Sequence, residues 1–503
     1  MDFACNLPFF SIMLLMFTGI ISMIAGPRLS KWLTLTALGL CTIFSVFLVL
    51  YINGTGESFT YMMGHFPAPF GNEISAGMFE AVMALAVCAA AFLSLWGNGE
   101  STREDIPEKK RNLYYIMMDM LVASLLVLIY TNDIFTAYVF VEINTIAACA
   151  IVMSKPGGET IAATIRYLIM SLLGSGLFLL GISLIYALTG HLLMPNMQDS
   201  IVSLAAQGEY SLPLIVVIGL FSVSMAIKSA LFPFHSWLPD AHGSATTASS
   251  AVLSGLVLKG YIILLIKIFI RVFTLDILKE FHISDVLLVL GLLGMILGSL
   301  KAVRETNIKR MIAYSSVAQI GYIFMGIGID TTIGMVAAAF QILAHMVTKP
   351  MLFTAAGGLI NVSGHKKDFN SLKGSAWKDP LAGAAFVTGS LSMIGIPLFA
   401  GFIVKYYLAA AAFESSKNII IILAVLVLST VLNALYYIPA IARIYSRQEE
   451  AKFNWVDVLK MTRGNKNIPY KVSLVIFIVL NVLLGTCSHP VLEALEQGLK
   501  MLG

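Results

Sequence analysis

"SMAIKSALFPFHSWLPDAH", residues 224–242, places Lys228 inside an apolar run and Pro233 five residues after it. Proline lacks the N–H that a helix interior needs, so the carbonyl of Ser229 is expected to lose its usual partner. In hydrocarbon, a freed backbone group persists only where it faces protein or a wet cavity. A lysine beside such a break therefore reads as a working position within a membrane span, not as a packing residue.

The rest of the chain agrees with that setting. Of its 503 residues 58% are hydrophobic and only 12% charged, against about a quarter charged in a soluble domain. By the ruler of about 20 apolar residues per span, about fourteen spans lie between residues 4 and 492. The first is preceded by Asp2 and followed by Arg28 and Lys31, so it reads as a retained span and not as a cleaved signal. Loops after odd-numbered spans carry 23 of the 32 Lys and Arg, and the other loops plus the tail carry 4. That asymmetry places the odd loops in the cytoplasm and both termini outside. The net charge of +4 sorts by loop, which excludes nucleic acid as a partner. The five cysteines have no metal-ligand spacing, and His235 and His242, seven apart, match no metal site. No phosphate-cradling loop, nucleophile–base arrangement or haem motif occurs, so neither a cofactor nor catalysis by this chain alone is expected.

A second break, "GIPLFAGFIVKYY", centres on Pro397, with Lys405 eight residues beyond it, and is expected to free the carbonyl of Met393. The two breaks lie five spans apart. A tandem unit with an odd number of spans must invert across the bilayer, the arrangement of transporters whose sites sit at discontinuous helices. The chain divides accordingly into an N-terminal three-helix region (1–112), two inverted five-helix units (113–273 and 274–447), and a cytoplasmic loop with the last helix (448–503). The Thr189–Ser211 loop is expected to form a short interfacial helix, and the basic Arg443–Lys471 loop a docking surface.

Five lysines remain inside spans: Lys228, Lys259, Lys267, Lys349 and Lys405. Each buried charge costs roughly 2.5–3.5 kcal/mol at a helix centre. Four of them together with Glu142 would cost on the order of 12–17 kcal/mol if isolated, so partners, water or neutralisation must offset it. Glu142 reads as the partner of Lys228, since a buried pair whose separation changes acts as a proton switch. Lys259 is the next relay candidate. His345 and Lys349, four apart, share one helix face and can exchange protons, and Lys405 supplies the end of the second unit. Lys267 reads as a lysine snorkelling towards the headgroups. Glu80 and Asp119 are divided between tuning the relay from its flank and plain structural hydrogen bonding. His235 and His242 are placed on the same flank.

The runs "IYTNDIFTAYVFVEI" (129–143), "IKSALFPFHSWLPDAH" (227–242), "LSGLVLKGY" (253–261), "NIKRMIAYSSVAQIGY" (307–322), "LAHMVTKPMLFTAAG" (343–357) and "IGIPLFAGFIVKYY" (394–407) carry a resemblance. In this order they resemble the antiporter-like subunits shared by respiratory complex I, Mrp-type sodium/proton antiporters and membrane-bound hydrogenases, the D-type Mrp subunit above all. The resemblance implies an all-helical fold of about fourteen spans with two inverted five-helix repeats and broken seventh and twelfth helices, in a prokaryotic cytoplasmic membrane. It implies a proton relay through Glu142, Lys228, Lys259, His345, Lys349 and Lys405, with other membrane subunits as partners. It leaves H⁺ against Na⁺ open, and places any redox centre in those partners. Two departures stand out. Thr246 replaces the proline that usually follows the LPDAH motif, so the eighth helix is expected to begin differently. Pro350 directly follows Lys349, which is expected to bend the eleventh helix. The competing readings are a stand-alone secondary transporter of a cation or small solute, and a scaffold whose charges are idle.

Overall fold

The computed structural model describes residues 3–63, 66, 71–415, 417–446 and 468–503. The long apolar runs become helices. In chain order these are α1 (Leu7–Ile24), α2 (Pro27–Thr55), α3 (Met78–Gly97), α4 (Gly99–Asp105), α5 (Glu108–Tyr130), α6 (Ile134–Met153) and α7 (Gly158–Thr189). Next come α8 (Met194–Gln207), α9 (Ser211–Lys228), α10 (Leu238–Ser244), α11 (Thr247–Phe273), α12 (Ile283–Arg304), α13 (Ile308–Gly328) and α14 (Thr332–Asn361). The chain ends with α15 (Pro380–Ile394), α16 (Ala400–Glu414), α17 (Ile419–Tyr445), α18 (Ile468–Thr486) and α19 (His489–Leu502). Among the described residues 13 helices are long and apolar enough to cross a membrane. The broken pair α15–α16 completes the count of fourteen spans, and the protein is a multi-pass membrane protein.

Polar residues at the loop ends fix where spans begin, because a side-chain oxygen there accepts an otherwise orphaned first-turn N–H. Asp133 accepts from the Thr136 N–H (2.6 Å), Thr331 from Gly334 (3.0 Å) and Asp379 from Ala382 (3.1 Å). Close approach of α12 and α13 rests on small residues: a Cβ at Gly321 would lie 2.6 Å from the Gly291 carbonyl oxygen. Without a hydrophobic force between helices in lipid, such backbone-to-backbone packing is the main attraction.

The layers sort by polarity. Windows of α11, α13 and α14 are 100%, 94% and 94% buried, whereas those of α17 and α18 are 33% and 28% buried. Outer helices show apolar side chains such as Ile169, Ile420 and Val427 to the surroundings, and these are the lipid-facing walls. The central helices are the ones that carry Lys259, Lys267, His345 and Lys349.

Four features differ from the sequence reading or extend it. A hairpin of β1 (Phe59–Met62) and β2 (Glu73–Ala76), paired antiparallel, interrupts the all-helical pattern. A further helix, α19, follows the last span; it is amphipathic and too short to register as a span. Its Leu492, Leu495, Leu499 and Leu502 are buried, and its Gly498 lies against the Phe79 backbone of α3. A helix does form within the Thr189–Ser211 loop, as α8. α14 is one helix through Pro350, with the proline ring accommodated by Gly255 of α11, where a Cβ would lie 2.5 Å from it. Residues 447–467 of the expected docking loop lie outside the described residues.

Candidate functional site

α9 ends at Lys228, five residues ahead of Pro233, and Ala230 takes a left-handed φ of 59°. The backbone closes on itself there: the Leu231 N–H bonds to the Ala226 carbonyl (2.9 Å) and the Phe234 N–H to Leu231 (2.7 Å). The Lys228 ammonium turns to neighbouring helices, donating to Thr145 Oγ1 of α6 (2.7 Å) and Ser171 Oγ of α7 (2.9 Å). Its Nζ stands 5.7 Å from the Tyr261 ring centroid. The Tyr261 hydroxyl continues to Asn144 Oδ1 (2.9 Å), and Asn144 Nδ2 to Ser124 Oγ (2.7 Å).

One sequence expectation is not met at this point. Glu142 makes no ion pair with Lys228 among the described residues; it is half-buried on α6, one turn ahead of the Thr145 that takes the bond. The Lys228 stem points instead to the hydroxyls of α6 and α7. The signal for these hydroxyls was present only as ordinary Thr and Ser within apolar spans.

From α11 inward the polar groups run on. Lys259 Nζ donates to the Ser254 carbonyl (2.5 Å), where α11 widens into a π-helical turn over Leu253–Val257. The Ser254 hydroxyl meets Ser316 Oγ (2.9 Å), which in turn donates to the Ile312 carbonyl (3.1 Å). That same carbonyl accepts from Lys349 Nζ (3.0 Å), which also bonds Ser315 Oγ. Ser315 Oγ lies 2.8 Å from the Tyr437 hydroxyl. Tyr436, packed on Tyr437 with centroids 4.6 Å apart, donates to Asn433 Oδ1 (2.7 Å), and Asn433 Nδ2 donates to the Tyr322 hydroxyl (3.3 Å). His345 is fully buried on α14, one turn before Lys349. Neither of its ring nitrogens has a hydrogen-bond partner among the described residues.

The line ends at the second break. α15 stops at Ile394, and Gly395 (φ 92°) and Leu398 (φ 83°) turn the chain into α16. Lys405 folds back to donate to the Ile394 carbonyl and to Thr430 Oγ1 (2.9 Å), with Nζ 5.3 Å from the Tyr322 ring centroid. The Met393 carbonyl, expected to be orphaned by Pro397, accepts from Asn433 Nδ2 (3.2 Å).

The flanking residues fall into three groups. Lys267 does not snorkel; it is fully buried, bonded to the carbonyls of Ile129 (2.5 Å) and Thr131 (2.9 Å), with Glu80 Oε1 3.5 Å away. Glu80 also accepts the Gly77 N–H (3.0 Å) at the start of α3, so α3 and α11 are joined by a buried ion pair. Asp119 accepts from Thr34 Oγ1 (2.9 Å), away from the lysine line. His235 meets Lys301 Nζ at 2.9 Å, and His242 stacks on Phe353 with centroids 4.9 Å apart. No cluster of three or more His, Cys, Asp or Glu side chains among the described residues could hold a metal ion.

Amines, hydroxyls and an imidazole thus stand in hydrogen-bonded groups along the helix core, chemistry of the kind that can carry protons. Residues 131–432, which contain Lys228, Lys259, His345, Lys349 and Lys405, match the family model described as NADH:quinone oxidoreductase/Mrp antiporter, TM. The chain is 33% identical over 399 residues to NADH-quinone oxidoreductase subunit N of Desulforudis audaxviator, covering 78% of this chain and 76% of the relative. It is 27% identical over 431 residues to the D-type Na(+)/H(+) antiporter protein of Alkalihalophilus pseudofirmus, covering 86% and 83%. A chain of the Mrp complex from Dietzia sp. shares the fold with a TM-score of 0.86 at 23% identity, covering 100% of this chain and 98% of that one. A chain of the archaeal membrane-bound sulfane sulfur reductase does so with a TM-score of 0.84 at 24% identity, covering 99% and 96%. The chain belongs to the NADH:quinone oxidoreductase/Mrp antiporter transmembrane family.

Proposed function

We propose that this protein is the proton-translocating subunit of a larger energy-converting membrane complex, with other membrane subunits as its partners. Protons move along the buried line through Lys228, Lys259, His345, Lys349 and Lys405, with Glu142 at its flank. One observation carries the reading: none of these four lysines meets a carboxylate within ion-pair distance among the described residues, yet each is held by neutral oxygens. An ammonium offers three donors and no acceptor. Hydroxyls both donate and accept, so a proton given up by Lys228, Lys349 or Lys405 has a hydroxyl acceptor beside it. Each elementary charge carried across exchanges about 2.3 kcal/mol per 100 mV with the membrane potential. The transported ion is H⁺ in this reading, with Na⁺ exchange as the variant that the antiporter relatives suggest. Both termini face outside a prokaryotic cytoplasmic membrane, following the loop charges.

The test uses the intact complex in sealed vesicles, with dye-reported proton uptake as the readout. Lys259→Ala and Lys349→Ala are each expected to abolish uptake while the complex stays assembled. Unchanged uptake in both sinks the reading in favour of a scaffold. Full transport by the purified chain alone in liposomes sinks it in favour of a stand-alone transporter.

A further inference from the structure

Where the turn between α1 and α2 meets α4 and the start of α5, the surface carries a half-open cavity of about 520 Å³. Four cations line it, Arg28, Lys31, Arg103 and Arg111, against the one carboxylate of Glu108. Arg111 is fixed by its own backbone neighbours, Nε donating to the Ile106 carbonyl (2.9 Å) and Nη2 to that of Arg103 (2.8 Å). Arg28 and Arg103 belong to no ion pair among the described residues. Trp32 closes one wall, with Lys31 Nζ 5.9 Å from its ring.

The surroundings of the cavity are apolar. Ile24, the last residue of α1, is 94% exposed, and Trp32 (59%) and Leu29 (56%) of α2 and Leu113 (50%) of α5 are exposed beside it. A free anion would use the cations and leave these side chains idle. A ligand with an anionic head and long apolar tails would use both.

We propose that this cavity binds the phosphodiester headgroup of an anionic phospholipid, whose acyl chains lie along the outer faces of α1 and α2. Basic pockets between spans are suited to acidic lipid headgroups. Guanidinium forks match phosphate oxygens in geometry, and tryptophan favours the level of the headgroups. None of the four cations lies on the lysine line, so the site is separate from the translocation path.

The full-length chain in its complex is placed in phosphatidylcholine nanodiscs and titrated with spin-labelled phosphatidylglycerol, reading the immobilised fraction of label. Arg28→Gln/Arg103→Gln is expected to weaken binding about 30-fold, two charges at about 1 kcal/mol each. Lys109→Gln/Lys110→Gln removes the same charge outside the cavity and is expected to change binding by less than about threefold. Arg28→Lys/Arg103→Lys is expected to retain most of it, which separates a charge effect from misfolding. Equal weakening by the two glutamine doubles, or none by the first, overturns the proposal. Release of the label by inorganic phosphate at constant ionic strength also overturns it, in favour of a free-anion site.

Discussion

Two lysines eight residues apart on α11 show two different uses of a buried charge. Lys267 is fully enclosed and sits 3.5 Å from Glu80, as half of an ion pair between α11 and α3. Lys259 is equally enclosed but is bonded to a carbonyl, 2.5 Å from Ser254 O. A proton leaving Lys267 would strand Glu80 as a lone buried anion. A proton leaving Lys259 strands nothing. The same helix thus carries an ion-paired lysine near one end and a carbonyl-bonded lysine in its middle, and the carboxylate makes the difference.

The largest expected effect breaks the ion pair. Lys267→Met, which keeps the volume, leaves Glu80 uncompensated and should cost about 3–5 kcal/mol of stability. Adding Glu80→Gln should return most of that loss, because the stranded charge is gone. Lys259→Met removes only a donor to the Ser254 carbonyl and should cost about 1–3 kcal/mol while stopping proton uptake. Denaturation midpoints of the assembled complex, measured beside uptake, check the pattern. Equal destabilisation by the two lysine variants would erase the distinction.

The two helix breaks sharpen the same contrast at a smaller scale. Lys405 satisfies the Ile394 carbonyl that its own break exposes, whereas Lys228 binds hydroxyls on other helices. Lys405→Met therefore leaves a buried carbonyl without a partner, at about 1–3 kcal/mol. Lys228→Met leaves Thr145 and Ser171, whose hydroxyls lie 3.1 Å apart and bond each other; its cost should stay below about 1 kcal/mol. Both should lose proton uptake, so stability and transport separate at Lys228 and fall together at Lys405. Matched losses of stability would remove the asymmetry between the breaks.

These contrasts also mark what could be read from the sequence. A charge in an apolar run is conspicuous, so the spans, the breaks and five in-span lysines were visible before the fold; Lys309, buried in the first turn of α13 and bonded to the Ala245 carbonyl (3.0 Å), was passed over because it stands beside Arg310 at a basic loop end. Their partners were not. Thr145, Ser171, Ser315 and Thr430 are common residues within spans, and only the folded arrangement brings them to the lysines. The Glu142–Lys228 pairing assumed that opposite charges on nearby spans must meet, but hydroxyls standing closer take the bonds. Snorkelling was assigned to Lys267 as though its helix faced lipid; α11 is wholly enclosed, and Arg271 of its last turn bonds the Leu502 carbonyl at the end of α19 (3.2 Å). α19 and the hairpin escaped notice because neither is long enough to carry a span-length signal.

The smallest expected effect concerns how α11 begins. Thr246 occupies the place where the resemblance implies proline, and it caps the helix, its hydroxyl accepting from the Ser249 N–H at 3.1 Å. Thr246→Ala removes that acceptor and should cost about 1 kcal/mol. Thr246→Pro removes it too, but the backbone is already suited to proline: φ is −63° at Thr246, and Ala245 before it is extended at −66° and 166°. A proline whose native angles fit gains about 0.4–1 kcal/mol by restricting the unfolded chain, which nearly offsets the lost cap. The expected order of stability is threonine, then proline close behind, then alanine. Both caps open α11 at the same residue, so Lys259 keeps its place and proton uptake should be unchanged in all three. A proline variant less stable than the alanine one, or slower in uptake, would mean that the threonine hydroxyl positions the lysine line as well as the helix start.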